Sequence, residues 1–562
     1  MTRRGVLAAG MVACAGGAPP PARVSLADVG GRPGTDDDAG AVFRAALGRL
    51  PRSGGAVLSV PAGTWRFRQA EGVAVSVAGF ENLVVEGAGA RLVFAGRARP
   101  FVFVGCRAPA VRGVAVDWER APFSQGEVVG VGAGGMTAEV RVDPEFPVDG
   151  SEAVAALGTY DRGTGLTARG GLDAYDAVGS VALVGAQRLR LGFTRPLALR
   201  PGDTVVMRHA TYAASAFSFA WCSQVVVEDV TVHTTPGMGV FADHCSGAAV
   251  RRLCVAPPEG SGRLMTTTAD GVHFNACDGE VAVEDCVLGG MGDDGVNVHG
   301  KYFRIAQVAD ARTVVVAASA GALAGPAHAT PAGDRVEVVD AGTLEVRGVL
   351  AVGASEADGA TTTLHLDGDL PAGVRAGDYV YDEATRSRAQ VLRCRFPGNR
   401  ARGVLAHSDA VVEGCTFAGQ SAEAVLLLPD ARFMEGPAAE RVAVQGNEIA
   451  GVLRHGGRSG AVRVDAAAGG TGGGRAPVNR DVAVRENRIA DSGGAAVLAR
   501  SCAGLVIEGN RVERPTGAAI VLQGVRGVRI AGNACTPAAA VEVGASDRGE
   551  VVMDGNTGLT GP

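Results

Sequence analysis

The chain has 562 residues, 47% of them of apolar types, so it is long enough to bury a large core. Its 53 lysines and arginines against 59 aspartates and glutamates give a formal net charge of −6, which excludes the strongly basic surface typical of nucleic-acid-binding proteins. Beyond the amino-terminal leader, no segment is apolar and long enough to span a membrane, so neither nucleic acid nor a membrane is a predicted partner.

Residues 1–22 are typical of an export signal. Arg3 and Arg4 precede a short apolar stretch, and Ala13-Cys14-Ala15 offers small residues for cleavage. The arginine pair resembles a twin-arginine signal, whereas Cys14 is where a lipoprotein tether would attach. We therefore predict a secreted or cell-surface protein.

Residues 23–119 are predicted to form an amino-terminal cap and the first turns of the core. Three consecutive aspartates at positions 36 to 38 precede a helical pattern, whose apolar face consists of Val42, Ala45, Ala46 and Leu50. Aspartates before a helix satisfy its free N–H groups and complement its dipole. We expect a helix that covers the open end of the core, with a calcium loop as the alternative interpretation.

A short repeat predicts the fold. Apolar strands end at Asn510, Asn533 and Asn556, which are 23 residues apart. The same element ends earlier at Val230, Cys254, Cys286, Cys394, Cys415, Asn447 and Asn487. A Val-rich and Gly-rich repeat of this length is typical of stacked turns with parallel strands. The predicted fold is all-β, a right-handed parallel β-helix in which the recurring Asn and Cys positions form ladders inside the core.

Two long insertions, residues 120–212 and 301–388, interrupt the repeat. They contain a similar phrase, Arg200-Pro201-Gly202-Asp203 in one and Arg375-Ala376-Gly377-Asp378 in the other, and both alternate apolar and polar residues. This pattern predicts two related small antiparallel β modules. The remaining segments, 213–300 and 389–562, are then the catalytic and the carboxyl-terminal turns of the β-helix.

The cysteines follow the same register. Cys222, Cys245, Cys277 and Cys502 lie eight or nine residues before a ladder position. This regularity favours buried thiols that act as small apolar groups, and it matches no spacing typical of metal ligands.

A second recurring phrase, a small residue followed by Val, aligns the turns. The residues just before it are Met238, Asp270, Asp294, Arg402 and Glu423. Each lies eight residues after its ladder residue, except Asp270, which lies sixteen after Cys254 and so implies an eight-residue insertion within 257–267. The aligned positions are predicted to form one column on neighbouring turns, about 4.8 Å apart.

This column places Asp270 beside Asp294, with Asp293 at the same corner. Clustered carboxylates raise at least one pKa, which provides a protonated acid and an ionised base at one pH, as glycoside hydrolysis requires. On the following strands, His273, Asn275, Asn297 and His299 alternate outward, and Lys301 follows. We predict that they contribute to substrate binding. A calcium site built from the three aspartates is the competing interpretation.

Several of these segments resemble the α-1,3-galactosidases of glycoside hydrolase family 110. They are Pro236-Gly237-Met238-Gly239, Thr268-Ala269-Asp270, Gly292-Asp293-Asp294-Gly295, Asn297-Val298-His299-Gly300 and Asn399-Arg400-Ala401-Arg402-Gly403-Val404, with Phe433-Met434-Glu435 similar to a further phrase. The resemblance implies an exo-acting, metal-independent hydrolase without a cofactor. Such an enzyme removes terminal α-1,3-linked galactose from blood-group-B-type or linear glycans with inversion, and its substrate-binding residues would include Arg400, Arg402 and Glu435.

The more distant polygalacturonases share the β-helix and a similar arrangement of aspartates. Their scheme implies that Asp293 is the general acid and that Asp270 and Asp294 together activate water. Two alternatives stay open. One is a polygalacturonase-like hydrolase or a polysaccharide lyase, for which Arg400 and Arg402 can bind a uronate carboxylate; the other is a non-catalytic glycan-binding β-helix. The sequence gives no indication of oligomeric state.

Overall fold

The computed structural model describes residues 20–317, 330–468 and 477–561. The predicted export signal, including Arg3, Arg4 and Cys14, lies outside these ranges apart from residues 20–22. In the described part of the chain, no helix is long and apolar enough to cross a membrane.

Strands in chain order form the fold. Strands β1 to β7 are Ala22–Ser25, Ala56–Ser59, Gly63–Phe67, Val73–Ala78, Leu83–Phe94, Arg99–Val104 and Ala110–Trp118. Strands β8 to β15 are Phe123–Val131, Thr137–Val142, Ala156–Asp161, Leu166–Thr167, Asp173–Tyr175, Val178–Gly185, Arg188–Phe193 and Thr204–Arg208. Strands β16 to β25 are Phe217–Ala220, Ser223–Glu228, Thr231–Val232, Val240–Asp243, Ser246–Arg251, Cys254–Val255, Val272–Asn275, Asp278–Glu284, Val287–Leu288 and Val296–Asp310.

Strands β26 to β30 are Thr313–Ala317, Arg335–Val339, Val346–Asp358, Thr361–Leu366 and Tyr379–Asp382. Strands β31 to β40 are Ser387–Leu392, Arg395–Phe396, Val404–Ala406, Asp409–Glu413, Thr416–Ala418, Val425–Leu427, Glu435–Gly436, Glu440–Gln445, Glu448–Ala450 and Gly460–Val464. Strands β41 to β50 are Asn479–Arg485, Arg488–Ala490, Ala495–Ala503, Val506–Glu508, Arg511–Glu513, Ile520–Arg526, Val528–Ala531, Ala534–Val543, Val551–Asp554 and Thr557–Thr560. The α-helix is Ala39–Leu47, and short 3₁₀ turns are Leu26–Val29, Ala133–Gly135, Glu383–Thr385 and Ala545–Glu550.

The strands outside the insertions stack as three parallel sheets, and the predicted right-handed parallel β-helix is confirmed. The sheet that carries the predicted site runs through β6, β16, β19, β22, β25, β33, β36, β40, β43 and β46. Its inward side chains include Val240, Val272, Val296 and Val404, all at most 1% exposed. Side chains alternate between the two faces of a strand, so the residue that follows each of these valines faces away from the core.

Both insertions fold as antiparallel sheets, as predicted. The first consists of β8 to β15. The second combines β26 to β30 with the end of β25, which pairs with β26 and β30. Strand β25 therefore runs without a break from the β-helix into the second inserted sheet.

The ladder inside the core is confirmed in its carboxyl-terminal half. The Asn510 side-chain amide donates to Asn533 Oδ1 at 2.9 Å, and the Asn533 amide donates to Asn556 Oδ1 at 2.9 Å. Each amide also donates to a backbone carbonyl, for example that of Val484 at 2.8 Å. These buried polar groups are thus satisfied by their neighbours.

One ladder position predicted from the sequence is wrong. Cys254 pairs with Thr231 and Val287 on neighbouring strands, whereas Leu253 is fully buried and its N–H meets the Cys286 sulfur at 3.4 Å. Leu253 is therefore the ladder residue. The insertion before Asp270 is correspondingly nine residues long rather than eight. The sequence could not separate the two positions because both are apolar residues of similar burial tendency.

The amino-terminal helix is capped as predicted, since the Asp38 carboxylate accepts the Gly40 N–H at 3.2 Å. Its buried face is rotated from the predicted one. Ala45 is exposed, while Phe43 is buried and packs against Phe67 and Phe101. An aromatic side chain buries more apolar area than alanine, and this decides which face meets the core.

Candidate active site

The predicted column of aligned residues exists in the structure. Val240, Val272, Val296, Val404 and Val425 are register partners on adjacent strands, so the residues two positions earlier align as well. These are Met238, Asp270, Asp294, Arg402 and Glu423.

The backbone of the next turn fixes two of these carboxylates. The Asp294 N–H donates to Asp270 Oδ1 at 2.9 Å, and the Arg402 N–H donates to Asp294 Oδ1 at 2.9 Å. Arg402 Nε also lies 3.1 Å from Asp294 Oδ1. Both carboxylates are thereby held by groups that need not reorganise during a reaction.

Asp293 completes the cluster. One carboxylate oxygen from each of Asp270, Asp293 and Asp294 lies within 4.8 Å of the other two. The Asp293 side chain is 14% exposed, against 3% for Asp270 and 2% for Asp294. It accepts a hydrogen bond from the Tyr212 hydroxyl and lies 3.3 Å from Arg400 Nη1. Asp293 is therefore the member that faces the open side of the site.

The three carboxyl groups differ in electrostatics. Burial, reinforced by the Asp293 charge, raises the pKa of Asp270 well above its usual value. Burial also raises the pKa of Asp294, although Arg402 opposes the shift. Burial acts in the same sense on Asp293, but Arg400 and Arg402 outweigh it and hold the pKa of that carboxyl below its usual value. In the unliganded site, protons accordingly reside on Asp270 and Asp294 before Asp293.

A chain of short contacts extends from Asp270. His273 Nδ1 lies 2.6 Å from Asp270 Oδ2, His273 Nε2 lies 2.8 Å from His299 Nε2, and His299 Nδ1 lies 2.8 Å from the Gly300 carbonyl. Each of these three contacts needs one proton to be a hydrogen bond. Asp270, His273 and His299 therefore carry three protons between them, which leaves the group without net charge. Burial lowers the pKa of both histidines to about 4, so the proton that neutralises Asp270 resides near that carboxyl.

Glu435, in the turn formed by residues 430–435, approaches this series of contacts at His299. Its carboxylate lies 3.7 Å from His299 Nε2 and 3.6 Å from His407 Nε2. Burial disfavours the charged form, but the two histidines outweigh it and hold the pKa of Glu435 below its usual value. His407 was not predicted; it is fully buried, and neither ring nitrogen has a hydrogen-bond partner within the described ranges.

The remaining predicted residues lie near this cluster. Asn297 is 5% exposed, and its Oδ1 has no hydrogen-bond partner among the residues that the structure describes. Lys301 pairs with Glu435 in strand register, but the charge that favours its protonated form is that of Asp243, while burial lowers its pKa. Lys301 thus belongs with Asp243 and not with the three aspartates. Asn275 also donates to Asp243, at 2.8 Å.

The first inserted sheet contributes residues that the sequence did not indicate. Arg208 donates to the carbonyls of Thr268 at 3.2 Å and Gly292 at 2.8 Å, just before the two aspartate segments. The guanidinium carbons of Arg208 and Arg400 lie 4.5 and 4.8 Å from the centre of the Tyr175 ring. This stacked group braces the site from the side of Asp293.

The second predicted role of the cluster, a calcium site, is poorly matched by these contacts. Both oxygens of Asp270 and both oxygens of Asp293 already face donors. Arg208, Arg400 and Arg402 contribute positive charge to Asp293. A divalent cation would have to displace these donors and overcome that charge.

The chain is similar to several curated proteins. It is 28% identical over 461 residues to alpha-1,3-galactosidase B of Akkermansia muciniphila, a match that covers 75% of this chain and 57% of the relative. It is 26% identical to alpha-1,3-galactosidase A of Shewanella woodyi over 68% of each chain, and 23% identical to alpha-1,3-galactosidase A of Bacteroides fragilis over 86% of each. The resemblance to the α-1,3-galactosidases is confirmed. The chain is therefore related to glycoside hydrolases, as the sequence predicted. No family model matches it.

Solved structures with a similar fold include the A-module of a mannuronan C-5 epimerase from Azotobacter vinelandii. It covers 96% of this chain and 99% of its own, with 12% identity and a TM-score of 0.48. The catalytic unit of an α-1,3-glucanase from Streptomyces thermodiastaticus covers 98% of this chain and 70% of its own, with 15% identity and a TM-score of 0.47.

Proposed function

We propose that the protein is a secreted exo-α-galactosidase that hydrolyses terminal α-1,3-linked galactose from blood-group-B-type or linear glycans. The observation that carries this proposal is the cluster of Asp270, Asp293 and Asp294 on one face of the β-helix, with oxygens within 4.8 Å of one another. It occurs in a chain related to proteins named alpha-1,3-galactosidases. Glycoside hydrolysis requires a carboxylic acid and a carboxylate base that are held close together, as these residues are.

Asp293 is the proposed general acid because geometry takes precedence over the pKa of the unliganded site. It is the most exposed of the three carboxyl groups, so it can reach the glycosidic oxygen. Its low pKa runs against this role before substrate binds. A bound sugar removes the remaining water from Asp293, and burial is the factor that raises the pKa of this group.

Asp270 and Asp294 are the proposed base pair. Asp270 is neutralised by the proton that it shares with His273, and Asp294 presents its second oxygen to the attacking water. In the reaction, the water oxygen bonds to the anomeric carbon and its proton passes to Asp294. The glycosidic bond breaks at the same time, and its oxygen takes the proton of Asp293. Asp294 must be ionised for this step, so the proton that it holds in the unliganded site passes to Asp293 when the substrate binds; its raised pKa then makes it a good proton acceptor.

Galactose is proposed to lie between the aspartates and Glu435. The ionised Glu435 accepts hydrogen bonds from hydroxyl groups, while Asn297 Oδ1 and the ring nitrogens of His407 have no hydrogen-bond partner within the described ranges. This arrangement of acceptors and donors fits a sugar, which carries hydroxyl groups on both faces.

Inversion is proposed from the family resemblance. The oxygen separation within 4.8 Å is shorter than the roughly 6.5–9.5 Å usual for inverting pairs, and nearer to the roughly 5–5.5 Å of retaining pairs. The stereochemistry therefore needs its own measurement. We expect NMR to detect β-galactose as the first product; accumulation of α-galactose would exclude inversion.

Parallel assays on blood-group-B trisaccharide, linear galactosyl-α-1,3-galactose and polygalacturonate test the proposal. We expect galactose to be released from one or both of the first two and nothing from the third. Cleavage of polygalacturonate alone would favour a polygalacturonase or lyase. That outcome is disfavoured because Arg400 is already paired with Asp173 at 2.6 Å and Arg402 with Asp294. Tight glycan binding without hydrolysis would favour the non-catalytic alternative.

A further inference from the structure

A depression lies between the first inserted sheet and the early turns of the β-helix. Its volume is about 620 Å³, within the range usual for small-molecule sites. Its walls are formed by residues 96–97 and 118–122 on one side, by residues 147–153 on the other, and by residues 209–210 and Pro236 at its inner end. We refer to it as the side cleft.

The lining of the side cleft is close in sequence to residues that contact or adjoin the carboxylates. Its lining residue Ala210 is two positions before Tyr212, whose hydroxyl bonds Asp293. The carbonyl of Pro236, another lining residue, accepts the Ala213 N–H at 2.8 Å. Two residues after Pro236, Met238 occupies the column position next to Asp270. Tyr212 and Pro236 thus connect the lining of the side cleft to the segments that hold Asp293 and Asp270.

The wall chemistry suits a saccharide. Arg120 is fixed by the carbonyls of Ala121 at 2.6 Å and Phe123 at 2.7 Å, so that part of the wall is rigid. Arg97 is exposed, and Pro147 and Val148 supply apolar surface. Asp149 and Glu152 add acceptors to the wall. A few placed polar groups beside apolar surface are typical of small-molecule sites, and a saccharide offers both hydroxyl groups and apolar ring faces.

We propose that the side cleft binds the acceptor saccharide, the part of the substrate that remains after galactose is removed. The inference rests on the proposed function, because it uses Asp293 as the acid. The general acid must stand beside the leaving oxygen, so the leaving sugar lies on the same side as the acid. That side is bounded by the first inserted sheet, which places the acceptor in the side cleft and assigns this insertion a role in substrate choice.

Ala153→Trp tests this inference by filling the cleft. Ala153 is exposed and lines the cleft, and its carbonyl lies 2.7 Å from His209 Nδ1. We expect kcat/KM for an α-1,3-galactosyl oligosaccharide to fall at least about tenfold more than kcat/KM for an aryl α-galactoside, whose leaving group is too short for the cleft. Arg97→Ala, which adds no bulk, should change the ratio in the same direction. Ala45→Trp places the same side chain on an exposed face of the remote helix and should leave both substrates unchanged.

Binding of the galactose-free acceptor to the wild-type protein, followed by ligand-observed NMR, separates the two proposals. We expect acceptor signals to respond in the wild type and in Ala45→Trp, and to weaken in Ala153→Trp. Equal losses on both substrates, or acceptor binding that Ala153→Trp and Arg97→Ala leave intact, would overturn the side-cleft assignment. Acceptor binding that responds to Ala153→Trp, in a protein that hydrolyses no α-galactoside, would overturn the proposed function only.

Discussion

Two columns of stacked side chains in this β-helix accept backbone N–H groups from neighbouring turns, with different consequences. Inside the core, each ladder asparagine accepts a backbone N–H from a neighbouring turn, as Asn510 does from Asn487 at 3.0 Å. On the outer face, Asp270 and Asp294 do the same at 2.9 Å. Asparagine also donates, so it satisfies both neighbours and stays neutral. An ionised aspartate only accepts, so stacking aspartates brings like charges together, and burial together with this repulsion raises their pKa. The comparison teaches that one hydrogen-bond geometry stabilises the fold with amides and gathers the carboxyl groups of the candidate site.

The largest effect is expected when the outer column loses its charge. Asp293→Asn and Asp270→Asn should each lower kcat by about 10² to 10⁴, because an amide at position 293 cannot donate the acid's proton and an amide at position 270 removes the carboxyl group that shares a proton with His273 beside the base. The midpoint of thermal unfolding should change little, since the amide oxygen keeps the backbone contact of Asp270. Steady-state kinetics and calorimetry on the same preparations measure both quantities. Near-wild-type turnover in both variants would contradict the assignment.

The inner column should respond in the opposite way. Asn510→Leu leaves the Asn487 N–H and the Val484 carbonyl without their partner, which costs about 1–3 kcal/mol for each buried group. We expect a lower midpoint of thermal unfolding with kcat preserved in the folded fraction. Arg514→Ala, which removes an exposed pair with Asp491, is the matched surface control and should unfold like the wild type. An unchanged midpoint for Asn510→Leu would mean that the ladder contributes little.

For Arg400→Gln we expect a smaller effect, a shift of about one pH unit in one limb of the pH profile of kcat/KM. Arg400 favours ionised Asp293, so its removal raises the pKa of that carboxyl. If Asp293 is the acid, its active form is protonated, and the alkaline limb of the kcat/KM profile moves to higher pH. An acidic limb that moves to higher pH would show instead that Asp293 acts as the base. Arg441→Gln, which pairs with Asp409 at the surface, should shift neither limb.

The smallest effect is expected from a chelator. Because the carboxylate oxygens already face protein donors, excess EDTA should leave kcat/KM unchanged. Loss of activity that calcium restores would reinstate the metal interpretation of the outer column.

The sequence predicted those features that repeat. The column of Asp270, Asp294 and Arg402 followed from a constant spacing, because a β-helix converts sequence period into spatial register. Tyr175 and Arg208 could not be found in this way. They come from an inserted sheet whose position depends on packing against distant turns, and no local pattern marks them.

The order of the pKa values was also beyond the sequence. Three aspartates in register predict that some pKa values rise, but which ones depends on burial and on where Arg400 and Arg402 point. His407 was missed for a similar reason: its relevance arises only from its distance to Glu435, a residue 28 positions later in the chain.

The unbroken course of β25 has a mechanical consequence. The same strand carries Asn297 and His299 at the site and then pairs with β26 and β30 in the second inserted sheet. This strand is continuous from Val296 to Asp310, so the second inserted sheet is anchored to the backbone that carries both side chains. We therefore expect a displacement of that sheet to be felt at Asn297 and His299.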